Sequence, residues 1–542
     1  MNIASLLKSF VPIYRGRPSE GARDTLIPRI VHQTWKDRDV PKRFSKYMAS
    51  WRKIHPDWEF KFWTDADLAE VVAARYPEYR EMYLAYPKPI MRADLGRYLV
   101  LREFGGIYAD VDAEALASFE PLLDSPAPIF AFEPPSHADG EWVRSRGFQS
   151  IISNAVMLSP AGHPFWDHML SRIRECRHAT NPLDATGPFL LTAAVELAPP
   201  NTAPRVLPAH VFSPCDKFGA PVSANLSART ALAAHHWAGT WWKPAPPPPR
   251  GFFKRPKNKI ASDNLVIPPP ASVEAQPIDI MAASEKNKGV LIAVPVRDAA
   301  NTLDALFARL LALRYHRGRL SVAFLEGDSV DDSWERLRDF ARRHAAAFRR
   351  IEVIKHDSGV ATPIPRWDPA SQKGRRSQIA SVRNELVART LRDEDWVLWV
   401  DADIIEFPAD ILATLISANA RIVHPNAVRI PGGPSMDLNA WVAEEQLPPT
   451  RMAPWIQDGL YQPPSGFFRL YLSDLRYRDK IPLHSVGGTM LLVDADLHRA
   501  GLLFPTDPYH YLIETEGFAA IARHNGIIPL GLPNVEVLHA SR

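Results

Sequence analysis

Two stretches of this chain end an apolar run in two carboxylates one residue apart. They are "FGGIYADVDAEAL", Phe104 to Leu116, and "WVLWVDADIIEFP", Trp396 to Pro408. The apolar part of each reads as a buried strand. Two ionised acids at its end cannot both enter the core, because an unpaired buried charge is costly. A divalent cation removes that penalty. Carboxylate oxygens suit Mg²⁺ or Mn²⁺, ions that commonly share their coordination with substrate phosphates. The expected ligand is a nucleotide diphosphate, and the metal would neutralise charge on that group as it departs.

The bare Asp-x-Asp pattern is not specific. It occurs at Asp37/Asp39, Asp65/Asp67, Asp110/Asp112, Asp393/Asp395, Asp401/Asp403 and Asp494/Asp496. Only Asp110/Asp112 and Asp401/Asp403 follow a buried-strand pattern and precede apolar residues. Asp494/Asp496 follows "TMLLV", but the next residues, "LHRAG", read as a short helix that these acids would cap. Other phosphate devices are absent: there is no G-x-x-x-x-G-K-[ST] loop, and "VPVRDAANT" follows its strand without a glycine fingerprint. No serine nucleophile elbow is present.

The elements that must position these acids alternate between strand and helix. In the first half "IPRIVHQTW" and "WEFKFWT" read as strands, and "DADLAEVVAARY" as a helix capped by Asp. "IMRADLGRYLVLREFGG" is a helix that stops at Gly105–Gly106. In the second half "GVLIAVPV", "LSVAFLEGD", "RIEVIKHD" and "WVLWVDAD" are strands separated by helices. This order implies an α/β fold with mainly parallel twisted sheets, whose ligands lie beyond the carboxyl ends of the strands.

At 542 residues the chain is long enough for two domains. Residues 243–287 include "KPAPPPPRGFFKRPKNK" and read as a proline-rich spacer between domains 1–242 and 288–542. The net charge of +3, with no concentrated basic stripe, excludes a nucleic-acid partner. Two cysteines exclude a disulfide framework and point to a reducing compartment. No run reaches the length of a membrane-spanning helix. The basic cluster of the spacer, or an amphipathic Ile3–Tyr14, would serve for peripheral membrane contact.

Longer motifs carry a family resemblance. The first half resembles glycosyltransferase family 32 in "IPRIVHQTW", "RADLGRYLVLREFGGIYADVD", "NAVMLSPAGHPF", "TGPFLLT" and "HHWAGTWW". The second resembles glycosyltransferase family 62 in "VPVRDAANTL", "FLEGDSVDDSWERL", "SVRNELVARTL", "WVLWVDADIIEFP", "DLNAW", "VGGTMLLVDADLHRAG", "IETEGFAAIARHNG" and "GLPNVEVLHA". Both resemblances imply a GT-A fold, Mn²⁺ or Mg²⁺, and retention of anomeric configuration. In the first half they assign the metal to Asp110, Asp112 and His236, and donor binding to Trp35, Asp94, Arg97 and Tyr108. In the second half the metal falls to Asp401, Asp403 and His539, and donor binding to Asp328, Arg383 and Asn384. Glu514 or Glu516 would contact the acceptor or orient the sugar.

The expectation is a bifunctional metal-dependent glycosyltransferase. Its second domain would transfer mannose from GDP-mannose, and its first a hexose from GDP-mannose or a UDP-sugar, to a glycan or glycolipid acceptor. Fungal family 62 members carry an anchor and stalk that this sequence lacks, so the resemblance implies a cytoplasmic enzyme at the inner face of the plasma membrane. The competing expectation is one catalytic domain fused to a glycan-binding or scaffold module. A phosphohydrolase is the third.

Overall fold

Two glycines aim the first acid pair. The helix Pro89–Phe104 opens with proline at its first position and ends at Gly105, whose φ is 63°. A Cβ at Gly105 would lie 2.6 Å from the Ala161 amide nitrogen, so only glycine lets the chain turn there. The chain passes directly into the buried strand Gly106–Ala109, which delivers Asp110 and Asp112.

The structure, a computed structural model, describes residues 26–222, 231–239, 288–356, 371–445 and 447–540. The spacer with its basic cluster, the stretch Ile3–Tyr14, and Trp241 and Trp242 of "HHWAGTWW" lie outside the described residues. Among the described residues no helix is long and apolar enough to cross a membrane.

Two large sheets hold the two acid pairs. In the first, Glu59–Trp63, Ile30–Thr34 and Gly106–Ala109 run parallel; then Ile152–Ser159 lies antiparallel between Gly106–Ala109 and Ile129–Phe132, with Arg205–Leu207 parallel at the edge. In the second, Arg350–His356, Leu320–Gly327, Val290–Val296 and Trp396–Val400 run parallel. Met490–Asp494 follows antiparallel, then Ile422–Val428 and Leu530–His539. The α/β class is as expected, but each sheet is mixed. The strand–helix alternation builds only the parallel run. In both sheets that run ends at the strand carrying the acid pair, and the next neighbour is antiparallel. That neighbour accepts the backbone amide of the first acid: Asp110 N donates to Ala155 O at 2.8 Å, and Asp401 N to Thr489 O at 2.9 Å.

The remaining Asp-x-Asp pairs have local structural partners. Asp67 forms a reciprocal cap with Thr64, which, rather than Asp65, is the N-cap of its helix. Asp494 caps the helix Ala495–Arg499. Asp395 accepts the Gly289 amide, Asp393 pairs with Arg349, and Asp37 accepts the Asp39 amide.

The two sheets share a buried seam. Arg146 donates to both oxygens of Asp184 at 2.7 Å each, and its Nη2 also reaches Glu444 of the second unit at 3.1 Å. Tyr477 of the second unit donates to Asp184 Oδ1 and stacks on Phe148 of the first. Arg478 lies 3.9 Å over the Phe148 ring and pairs with Glu196 at 2.7 Å. Arg146 and Asp184 are almost wholly buried, so their charges depend on one another. Asp474 is buried beside them. Burial, with Asp184 and Glu444 near, pushes its carboxyl up to about 7 against the bond it accepts from the Tyr471 amide.

Two outcomes follow. Asp184→Ala strands the Arg146 guanidinium and should cost about 3–5 kcal/mol by urea denaturation, whereas Arg146→Met combined with Asp184→Leu should cost much less. An acid raised above its unfolded value near 4 contributes stability that is complete below that value and lost as pH rises through about 7. Stability should therefore fall between about pH 4 and 7, and Asp474→Asn should make that slope shallower.

Candidate active sites

Asp110 and Asp112 sit where the strand Gly106–Ala109 gives way to a tight turn, closed by Ala113 N donating to Asp110 O at 2.9 Å. Arg97, on the helix before the strand, donates to Asp110 Oδ1 at 3.0 Å. Tyr108 donates to the same oxygen at 2.8 Å, and its hydroxyl also meets Thr34 at 2.8 Å. Burial pushes the Asp110 carboxyl up, and the Arg97 charge pulls against that shift. Asp94, one turn before Arg97, lies 3.1 Å from its Nη2 and accepts from Thr186 and Asn154. Burial raises Asp94 to about 7 despite these partners. Asp94 and Arg97 are both nearly buried, so they are not the surface pair their spacing alone would allow.

The second acid meets a histidine from far along the chain. The strand Ala113–Ala115 pairs antiparallel with Ala233–His235, and Ala113 faces His235. His235 Nε2 lies 3.4 Å from Asp112 Oδ1, and the Ala238 amide donates to Asp112 Oδ2 at 2.8 Å. Burial raises Asp112, but His235 and that amide outweigh it and hold the carboxyl down to about 2. Burial alone would lower His235; Asp112 raises it above the usual imidazole value. Ligand atoms of Asp110, Asp112 and His235 all lie within 4.8 Å of one another, the one set of three that does so among the described residues. The His235 Nδ1 is buried without a partner.

The structure corrects the metal assignment of His236. Alternation along the strand turns it away from the acids. Its Nε2 pairs with Glu114 at 2.9 Å, and its ring stacks 4.0 Å from Tyr47. The signal available in the sequence was the neighbouring histidine of "HHW", whose parity is fixed only by pairing with residues 113–115.

The second half repeats the device. Asp401 Oδ1 accepts from Arg383 Nη2 at 2.9 Å, and the turn is closed by Ile404 N donating to Asp401 O at 3.1 Å. Ile404 faces His539 in an antiparallel pair, as Ala113 faces His235. His539 Nε2 lies 3.0 Å from Asp403 Oδ1. Burial would lower His539, but Asp403 raises it. Burial lifts Asp401 to about 7, against the pull of Arg383. The residue after each histidine donates to the carbonyl of the second acid: His236 N to Asp112 O at 3.0 Å, and Ala540 N to Asp403 O at 2.8 Å.

The other expected residues divide. Glu514, at φ 56°, accepts from Arg383 Nη1 at 2.8 Å and so joins the Asp401 cluster. Glu516 lies in a separate set, accepting from Trp441 at 3.1 Å and paired with Arg469 at 3.1 Å and Arg376 at 3.3 Å. Asn384 is corrected from donor binding: its amide donates to Phe504 O at 2.8 Å and accepts Phe504 N at 2.9 Å, which commits both ends to the backbone. Tyr108 is buried and serves Asp110. Asp328 holds φ 55° just after the strand Leu320–Gly327, at the carboxyl end of the sheet. Trp35 follows the strand Ile30–Thr34, edge-on to Phe44 at 5.6 Å, with its ring nitrogen buried and unpartnered.

Sequence reasoning missed Asp437 of "DLNAW". It accepts from the Thr489 amide and hydroxyl, and His424 Nε2 lies 3.6 Å away. Burial would raise Asp437, but His424 and Thr489 hold it well below the carboxylate range. It is close enough to push the Asp401 carboxyl up.

Comparison with known proteins finds a family model that matches part of each half. Residues 277–508 match the Anp1 family, and residues 41–127 match the glycosyltransferase sugar-binding region containing a DXD motif. Inositol phosphoceramide mannosyltransferase 3 of Schizosaccharomyces pombe is 40% identical over 139 residues, 26% of this chain and 35% of that protein. The chain therefore spans about a third of that relative's length. The mannan polymerase complex subunit mnn9 of the same yeast is 31% identical over 272 residues, 46% of this chain and 79% of its own. A Pyrobaculum calidifontis mannosyltransferase solved with GDP-Man and Mn²⁺ overlaps 49% of this chain and 61% of its own, at 15% identity and a TM-score of 0.28, too loosely to argue from. Through its second half the chain belongs to the Anp1 family, and part of its first half matches the glycosyltransferase sugar-binding region containing a DXD motif.

Proposed function

We propose that the chain is a bifunctional, retaining, metal-dependent glycosyltransferase with one active site at each acid pair. The domains are 1–242 and 288–542, joined by 243–287. The observation that carries this reading is the same bracket in both halves: an arginine on the first acid, a histidine on the second, and one backbone register. The mannosyltransferase relatives support mannose as a donor sugar. The second unit transfers mannose from GDP-mannose, and the first a hexose from GDP-mannose or a UDP-sugar, onto a glycan or glycolipid. The enzyme works in the cytoplasm, peripheral to the inner face of the plasma membrane.

Two carboxylates and an imidazole within 4.8 Å fit a divalent ion, with Asp110, Asp112 and His235 as its donors. Asp401, Asp403 and His539 would hold the second. Mn²⁺ or Mg²⁺ bound there supplies a Lewis acid for the diphosphate leaving group. Arg97 and Arg383 are positioning residues. Each is nearly buried, packs over an aromatic ring (Tyr108 or Phe504), and fixes one oxygen of the first acid. Glu514 ties Arg383 from the other side, as Asp94 ties Arg97. Asp328 and Trp35, each just past a strand's carboxyl end, would meet the nucleotide.

A second reading, one catalytic unit with a glycan-binding or scaffold partner, is favoured by one difference. Only the first set closes within 4.8 Å among the described residues. A donor screen on the full chain separates the two. Nucleotide release from GDP-mannose and the common UDP-sugars is measured with Mn²⁺. Asp112→Asn and Asp403→Asn should each remove a different transfer by at least about 10²-fold, while Arg97→Lys should cost about 10–100-fold. Full transfer in Asp403→Asn would establish the one-site reading. Release that survives both substitutions, or chelation by EDTA, would end the proposal.

A further inference from the structure

The seam carries an open pocket that neither unit makes alone. Its volume is about 160 Å³, room for one sugar ring. Trp142, Arg146 and Asn181 of the first unit line it, with Glu444, Glu445 and Phe468 of the second.

Its chemistry is selective. Arg146 cannot serve a ligand, because it is held by Asp184, Glu444 and the Trp142 carbonyl. The two glutamates disfavour an anion. Asn181 donates to Glu444 Oε1 at 2.7 Å and accepts the Leu183 amide, so it too is committed. Both bonds to Glu444 land on Oε1, and its Oε2 has no partner among the described residues. Arg451 pairs with Glu445 Oε1 and lies 4.6 Å over the Phe468 ring, so the pocket offers the Oε2 of Glu444, the second oxygen of Glu445 and the Trp142 ring. A neutral ligand with hydroxyl donors and apolar C–H faces fits it, which describes a hexose.

Short rigid elements run from the pocket to the braces of the first acid pair on one side and to the Glu516 cluster on the other. Asn181 caps the helix Pro182–Ala185, and the next residue, Thr186, bonds Asp94. Five residues of helical rise, about 7.5 Å, thus separate Asn181 from Thr186, which bonds the Asp94 that braces Arg97. On the other side the strand Trp441–Ala443 pairs with Arg469–Tyr471, and Trp441 and Arg469 hold Glu516. Glu444 and Phe468 extend that ladder, Glu444 N donating to Phe468 O at 3.0 Å. Three strand residues, about 10 Å, lead from Trp441 to Glu444.

We propose that the seam pocket binds a hexosyl residue of the growing glycan and holds it at the boundary between the two units. The inference rests on the transferase reading for its ligand but is tested without donor. The full chain, with neither nucleotide nor metal, is titrated with mannotriose and followed by saturation-transfer NMR. Mannotriose should bind, Trp142→Ala should weaken binding at least tenfold, and Glu445→Gln should weaken it several-fold. Leu84→Ala, at an exposed side chain on the helix Arg80–Ala85, should bind as the native chain does. No binding by the native chain, or equal binding by Trp142→Ala and Glu445→Gln, overturns the proposal. If Trp142→Ala fails to fold, Glu445→Gln decides. Nucleotide release from sugar donors reports the transferase reading separately, so loss of mannotriose binding with release intact refutes the pocket alone.

Discussion

The antiparallel pair formed just after each Asp-x-Asp turn is the constraint on which both sites depend. It sets Ala113 opposite His235 and Ile404 opposite His539. The same register lets the next amide bond the second acid's carbonyl. A tight turn alone would leave two carboxylates repelling each other at a strand end. The bracket divides their partners: a buried arginine holds the first acid and a histidine faces the second. Each charge is paired before any ligand arrives, which limits the reorganisation needed when one does.

That division explains why Asp110 and Asp112 differ. Asp110 and Asp401 are pushed up by burial, whereas Asp112 is held down by His235 and the Ala238 amide. The first acid is raised although an arginine touches it, because it is deeply enclosed. The second is lowered although it is mostly enclosed, because a histidine and a backbone donor both favour its charge. Environment, not residue type, assigns the roles.

Local rules made much of this legible. The parallel strands, the helix ending at Gly105, the acid pairs at strand ends and the capping Asp494 all follow from short-range patterns. Pairing across long separations did not show. Choosing His235 over His236 requires knowing which strand meets residues 113–115, and a shift of one residue reverses the answer. Asn384 looks like a ligand on a helix until Phe504, far along the chain, claims both ends of its amide. The antiparallel strands beside each acid pair were hidden for the same reason. Proline content pointed to a spacer but gave no hint of the Arg146–Asp184–Tyr477 seam, whose three residues look ordinary in isolation.

The seam changes what the spacer has to do. With Phe148 stacked on Tyr477 and a buried arginine bonded to acids of both units, orientation is set by packing instead of linker length. An interface of exposed ion pairs would slide; a buried pair with a bidentate fork admits one register. Asp474 and Asp184 lie within electrostatic reach inside that interface, so the packing also places two acids in conflict. Such a cost is tolerated where the geometry it enforces has a use. Here that geometry brings a helix turn that leads to the first acid pair and a strand of the second unit to the two walls of a single pocket.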